Sequence, residues 1–427
     1  MFPFRRPGRI GRLTLAIAAV CPAVVSAQLL PQETVSLAGG RLTVGGEVTA
    51  TVAPDDTGQF NYTDYERSAL QLLRLGITAS FRPVERIALV TELRAEGDTD
   101  GGPWTALPFA AYVRVRPWKD RPFDIQAGRI PPVFGAAGRR IYANDNVLIG
   151  YPLAWQYLTV LRSDAVPSSA DELINARAAG WRPWYSVGTP GYARGVPLAT
   201  AFRYDTGVQA RVGGEHQRVS VAAALTAGTL SSPGARATNG GPQVSTRLAI
   251  RPATGLILGG SFADGRFFAD DLAAPVPSSS GGTSYGSDTT STTAGRYHQQ
   301  TWGADAEYSL GYFLARAELV TARWRLPAIG TAPIDEALRS TGVSVEGRYR
   351  VAPGITAGAR VDRLSFSQLR GQYQELPWDA PLTRVEAGVA WSATRNLIVR
   401  GSVQHNARSR GTVRSSTLPA LQVTVWF

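Results

Sequence analysis

Apolar and polar residues alternate along almost the whole chain, with the period of two that marks β-strands carrying one apolar face. The last ten residues, Leu418–Phe427 (LPALQVTVWF), show it plainly: Leu421, Val423, Val425 and Phe427 fall on one face, Gln422, Thr424 and Trp426 on the other. The same alternation predicts strands over Arg41–Val52, Leu70–Phe81, Ile87–Glu96, Leu107–Arg116, Phe123–Arg129, Ala199–Val212, Arg218–Gly228 and Val244–Arg251. It continues through Leu256–Phe267, Tyr297–Leu310, Tyr312–Arg323, Ser340–Val351, Ile355–Phe366, Leu382–Ser392 and Leu397–Ala407. In the fourth of these, Phe109, Ala111, Val113 and Val115 make the apolar face; in the sixth, Phe202, Tyr204, Thr206 and Val208 oppose Arg203, Asp205, Gln209 and Arg211. Sixteen strands result, joined alternately by seven tight turns and eight longer loops. An even number brings both ends of the sheet to one side, as closed antiparallel membrane barrels require. Strands of this length suit a tilted crossing of the hydrocarbon layer, where an unpaired backbone edge is too costly to survive.

Composition narrows the alternatives. At 44% hydrophobic and 18% charged, the chain is not disordered, and it has no apolar run long enough for a membrane helix. Its one candidate run, Leu13–Val25, follows Arg5, Arg6, Arg9 and Arg12 and ends in Val25-Ser26-Ala27. That pattern is a secretory signal peptide over residues 1–27, leaving 28–427 as a single barrel domain. The only cysteine, Cys21, lies inside it, so the mature chain is expected to form no disulfide and no thiolate metal site. The net charge of +11 is carried almost wholly by arginine, Lys119 being the only lysine. These arginines are spread along alternating strands rather than clustered, which argues against nucleic-acid binding. They sit on the polar faces, while the apolar faces carry almost no charge. A charge turned to lipid costs roughly 2–4 kcal/mol at mid-membrane, so a barrel wall is expected to segregate them in this way.

The signal peptide, the sixteen alternating strands and the terminal Phe427 together resemble the outer-membrane porins of Gram-negative-type bacteria. Gly128–Gly135 (GRIPPVFG) is similar to a segment at the end of the fifth strand in several porin groups. The resemblance implies an all-β, sixteen-stranded transmembrane barrel with short periplasmic turns and a long third extracellular loop folded toward the lumen. It also implies passive diffusion of small hydrophilic solutes and ions, a homotrimer, and recognition of Phe427 as a signal by the barrel-assembly machinery.

The polar faces nominate the pore lining: Arg74, Arg94, Arg114, Arg116, Arg203, Arg211, Arg247, Arg316, Arg348, Arg360, Arg384 and Arg400. Against them stand Glu92, Glu96, Asp124, Asp205, Asp305, Glu307, Glu318, Glu346, Asp362 and Glu386. Cross-wall pairing is expected to neutralise most of these, and a surplus of arginine at a narrow place would favour anions weakly. The cluster singled out is Arg94, Arg114 and Arg116 with Arg139 and Arg140. The segment 130–198 is far longer than an ordinary connection and is rich in aromatics, so it is expected to be structured. Its candidate constriction residues are Arg129, Phe134, Arg139, Arg140, Trp155 and Tyr157, and Ser169 with Glu172 predicts a capped helix start. A barrel enzyme or adhesin working through its outer loops is the alternative. The three histidines, His216, His298 and His405, have no serine signature beside them, and no nucleotide or metal motif is present. No cofactor is expected.

Overall fold

The computed structural model describes residues 35–62, 68–99, 103–142, 145–189, 191–214, 217–234, 241–269, 272, 275–277, 283–285, 297–327 and 334–427. The signal-peptide reading and His216 fall outside them, as does most of the Ser/Thr/Gly-rich stretch after residue 269.

Sixteen antiparallel strands build one closed sheet. They are β1 (Leu42–Val52), β2 (Leu72–Val84), β3 (Ile87–Asp98), β4 (Thr105–Val115), β5 (Phe123–Ile130), β6 (Asp205–Val212), β7 (Val219–Thr226) and β8 (Gln243–Ala253). There follow β9 (Leu256–Arg266), β10 (His298–Leu310), β11 (Phe313–Trp324), β12 (Leu338–Ala352), β13 (Ile355–Phe366), β14 (Leu382–Thr394), β15 (Leu397–Arg408) and β16 (Ser415–Trp426). Each strand pairs with the next, and β16 returns to β1 through Glu47↔Trp426 to Val52↔Leu421. Phe427 seals the seam: its N–H donates to Gly46 O at 3.0 Å, and its carbonyl accepts from Gly46 N at 2.9 Å. Val35–Leu37 prolongs the line of β16 by pairing with Leu42–Val44, so no edge of β1 is left bare.

The two faces separate as the alternation predicts. Val425 is 45% exposed, whereas Thr424, one residue back, is fully buried. Leu75, Leu89, Val221, Val361, Val385 and Leu421 are likewise outward and exposed, the surface that hydrocarbon tolerates. The apolar core lies inside the loop end of the barrel, where Phe134, Trp155, Tyr157, Phe267, Trp324 and Trp378 are buried together.

Two expectations fail locally. The sixth strand starts at Asp205 rather than Ala199. Phe202 and Tyr204 are not lipid-facing; they are buried against Tyr151 and Phe109, with ring centroids 4.8 and 4.3 Å apart. Phe109 is also inward. The pairing of β3 with β4 shifts between Glu92↔Ala110 and Leu93↔Pro108, and the extra residue, Phe109, turns over the face of the strand beyond it.

Candidate functional site

The interior wall is a register-matched array of charge. Across β10 to β14 the residues directly opposite one another are Glu307, Arg316, Glu346, Arg360 and Glu386, alternating in sign. The next inward row runs Asp305, Glu318, Ser344, Asp362, Arg384 and Asn406. Arg360 is the hub: its guanidinium meets Asp362 at 2.9 Å, Glu386 at 2.7 Å and Glu346 at 3.6 Å. Arg348 also bonds Glu346, and Arg316 bonds Glu307 at 2.8 Å. On the opposite wall Arg74 pairs with Glu96 at 2.7 Å, Arg211 with Asp124 at 2.9 Å, and Arg94 with Glu92. Arg247 on β8 reaches Asp305 on β10 across Gly259, where a Cβ would collide with both side chains.

The connection 131–204 presses against this array. Ala136 N and Ala137 N donate to Glu318 Oε1 at 2.7 and 3.2 Å, and Trp155 Nε1 donates to Glu318 Oε2 at 2.8 Å. Gly150 N donates to Glu386 Oε1 at 3.0 Å, and Gly135 N to Ser261 Oγ at 3.0 Å. In the other direction, Arg400 donates to Asn146 O and Leu148 O, Arg384 to Tyr151 O, and Arg348 to Asp145 O. Arg140 pairs with Glu307, and Tyr142 Oη donates to Glu92 Oε2 at 2.6 Å. Residues 134–142 and 145–156 thus touch inward side chains of β3, β9, β10, β11, β12, β14 and β15. Glycines make room for them: a Cβ on Gly303 would meet Phe134, on Gly342 Ala154 and on Gly358 Val147. Beside the array Arg140, Arg316, Glu318, Glu346 and Arg360 line a recess of about 50 Å³, room for a few water molecules.

Farther out, the expected helix start is present: Ala170–Asn175 begins at Ser169, whose side chain accepts from Glu172 N at 3.2 Å. The Asp379 carboxylate, in the connection between β13 and β14, accepts from Val160 N, Ala178 N and Ala380 N. Burial pushes its pKa up to about 6, against those donors and Arg408. Asp145 is also pushed up to about 6 by burial, opposed by Arg140, Arg316 and Arg348 and assisted by Glu47.

Several nominated residues land elsewhere than expected. Arg94 lies opposite Leu107 and Arg114 opposite Ala88, so the two are six residues apart along the wall, roughly 20 Å at about 3.4 Å per residue. Arg94 is instead held by Glu92 and stacked 3.4 Å over the Phe109 ring. Arg116 is exposed in the turn beyond β4, and Arg203 belongs to the connection before β6, so neither is on a barrel strand. The proposed five-arginine cluster therefore does not assemble. Arg129 stays on β5, in the row of exposed Ala111, and Arg139 is exposed. Phe134 and Trp155 are buried 6.1 Å apart against the wall, and Tyr157 is buried higher up. Asp205 binds no cation among the described residues; it accepts from the N–H groups of Thr206, Gly228 and Gly234 and fixes the loop after β7. His405 is exposed and bonded to Thr417, and His298 to Asp264. The wall glycines and the Glu318 anchor were not nominated for their roles, because both depend on which strands the loop crosses.

The same closed arrangement occurs in solved structures. The Salmonella typhi OmpF complex with daunomycin aligns with a TM-score of 0.55 at 12% identity, over 92% of this chain and 100% of that one. The fold is that of the outer-membrane porins. The outer membrane channel DcaP of Acinetobacter baumannii shares it with a TM-score of 0.50 at 10% identity, over 91% of this chain and 98% of the other. No protein-family model and no curated protein sequence matches the chain. At these identities the porin fold is what is held in common.

Proposed function

We propose that this chain is an outer-membrane porin that lets small hydrophilic solutes and ions diffuse passively, and that residues 131–204 set its narrowest section. The observation that carries the reading is the Glu318 anchorage: the long connection is tied by Glu318, Glu386 and Arg400 to a wall of inward-facing charge. A charged, hydrated bore inside an apolar belt passes ions and excludes lipid. Barrels of this strand number have a lumen wide enough for water. Phe427 is read as the assembly signal, and three copies as the working form. The test is insertion of the purified chain into planar bilayers. Discrete openings of reproducible conductance are expected; persistent silence from correctly folded protein would reject the reading.

Selectivity should be weak and tilted toward anions. Most wall arginines are paired; Arg114, Arg384, Arg400 and Arg408 make no ion pair among the described residues, and neither do Glu47, Asp205 and Glu318. With the balance so close, one proton matters. Asp145, with a pKa of about 6, is ionised at pH 8 and neutral at pH 5, so acidification removes a negative charge beside Arg140 and Arg348. Reversal potentials in a salt gradient should shift toward anions as pH falls from 8 to 5. Asp145→Asn should hold the acid value throughout. An identical pH response in the variant would show that Asp145 is not the titrating group.

A further inference from the structure

Two bore-facing arginines at the turn end of the wall stand opposed with no carboxylate between them. Val219 on β7 is paired with Ile250 on β8, and both are outward and exposed. One residue nearer the turns, Arg218 and Arg251 therefore face each other on the bore side, and Arg251 N donates to Arg218 O at 2.8 Å. At other levels guanidinium meets carboxylate across the strands, as in Arg74↔Glu96, Arg211↔Asp124 and Arg360↔Glu386. Here like charges are neighbours, an unfavourable pairing without a counter-ion. Arg251 directs Nη1 to carbonyls, Gln217 O at 2.8 Å and Gly214 O at 3.5 Å. Arg218 is exposed, and its side chain makes no hydrogen bond or ion pair among the described residues. The carboxylates along this side of the wall are taken: Glu307 by Arg140 and Arg316, Asp305 by Arg247, Asp124 by Arg211.

The two arginines border a recess of about 440 Å³ at the turn-side mouth of the bore, with Thr254, Ile257, Glu307 and Ser309 among its other walls. That volume falls in the range of sites that hold small organic molecules. The β8–β9 turn gives the recess its shape. Gly255 takes a φ of 79°, and its carbonyl accepts from Ser309 N at 2.8 Å; a Cβ there would run into Ser309 O. The turn is thereby held close against β10, and Thr254 and Ser309 both reach the recess. Its two sides differ in chemistry. Guanidinium groups stand on β7 and β8, and a carboxylate and a hydroxyl stand on β10, with Ile257 of β9 between them. Arg251 and Glu307 are two strands apart, roughly 10 Å at about 4.8 Å per strand. Because Arg140 and Arg316 already neutralise Glu307, its free lone pairs suit a hydroxyl donor better than a cation.

We propose that this recess binds a small hydroxylated organic phosphate. The phosphate group bridges Arg218 and Arg251, the carbon skeleton lies over Ile257, and the hydroxyls bond Glu307, Ser309 and Thr254. Planar guanidinium donors suit phosphate oxygens, and an anion between the two arginines removes their mutual repulsion. The inference concerns binding at the turn-side mouth and does not depend on the channel reading, since the binding is measured without ion flow.

The test is isothermal titration calorimetry of the purified full chain in detergent, with glucose 6-phosphate, glucose and inorganic phosphate as separate probes. Glucose 6-phosphate should bind, and R218Q/R251Q should weaken it about tenfold or more, the loss expected for charge-assisted hydrogen bonds. R218K/R251K should recover part of the affinity. R82Q/R350Q removes two exposed turn-side arginines outside the recess and should bind as the wild type does. An equal loss in that control would show that net charge alone attracts the ligand, and would overturn the site. No binding by the wild type, or equal binding by wild type and R218Q/R251Q, would also overturn the proposal. So would glucose binding as tightly as its phosphate, or inorganic phosphate binding as tightly as the sugar phosphate, since one of the two sides would then add nothing. If the double variant does not fold, R218Q alone has no side-chain bond to lose and should still weaken binding about threefold or more. Unchanged affinity in R218Q would then reject the site.

Discussion

Glu318→Ala should loosen the start of the long connection from the wall and enlarge the single-channel conductance. Among the described residues the carboxylate is the sole acceptor for Ala136 N, Ala137 N and Trp155 Nε1. Removing it leaves the buried Trp155 indole and two partly buried backbone donors without a partner, at a cost of up to about 1–3 kcal/mol for each. Residues 134–137 and Trp155 should therefore loosen from the wall, while Arg140, Tyr142, Gly150 and Arg400 still hold the rest of the segment and the barrel stays closed. Conductance should rise and become noisier, tryptophan emission should shift to the red as Trp155 meets water, and trypsin should cut after Arg139 or Arg140. Glu318→Gln keeps an acceptor for the two backbone donors but turns its amide toward the indole, so its effect should be intermediate. A folded Glu318→Ala barrel with unaltered conductance and no new cleavage would show that this anchor does not define the bore.

The second large effect is expected at the hub of the charged row. Arg360→Met removes the single cation that Glu346, Asp362 and Glu386 share. Breaking one buried pair costs about 3–5 kcal/mol because the partner charge is stranded, and here three carboxylates are affected at once. The unfolding midpoint in urea should fall further than for any other single substitution in the wall. Adding Glu386→Gln should restore a substantial part, since it removes one stranded charge and its repulsion. If the double variant is no more stable than Arg360→Met alone, the row does not act as a coupled unit.

Most of the barrel was legible because its two signals are local. Alternation located all sixteen strands, and the face assignment followed from where charge can stand, as at Arg74, Glu96, Arg316 and Glu386. The helix start at Ser169 was legible for the same reason, since a cap and its partner lie three residues apart. What failed depended on one residue more or less. Phe109 reads as outward unless the bulge opposite Glu92 and Leu93 is known; its one local mark is Pro108, which cannot donate to a ladder and so fits a paired strand only at such an irregularity. Phe202 and Tyr204 keep the alternation of β6 but belong to the aromatic packing under the loops. The supposed nearness of Arg94 and Arg114 was an error of register, a quantity set by turn lengths and bulges summed over neighbouring strands. Gly303, Gly342 and Gly358 look like ordinary small residues until the loop side chains seated opposite them are seen.

The bond between Gly46 and Phe427 has a consequence for errors in assembly. An open sheet can absorb a misaligned strand at its border; a ring has no border. A slip of one position at any seam would turn that strand's guanidinium and carboxylate groups toward lipid, and the displacement would have to be undone at a second seam for the ends to meet. The sealed circle thus acts as a proofreading condition, in which every pairing must be right before the last one can form.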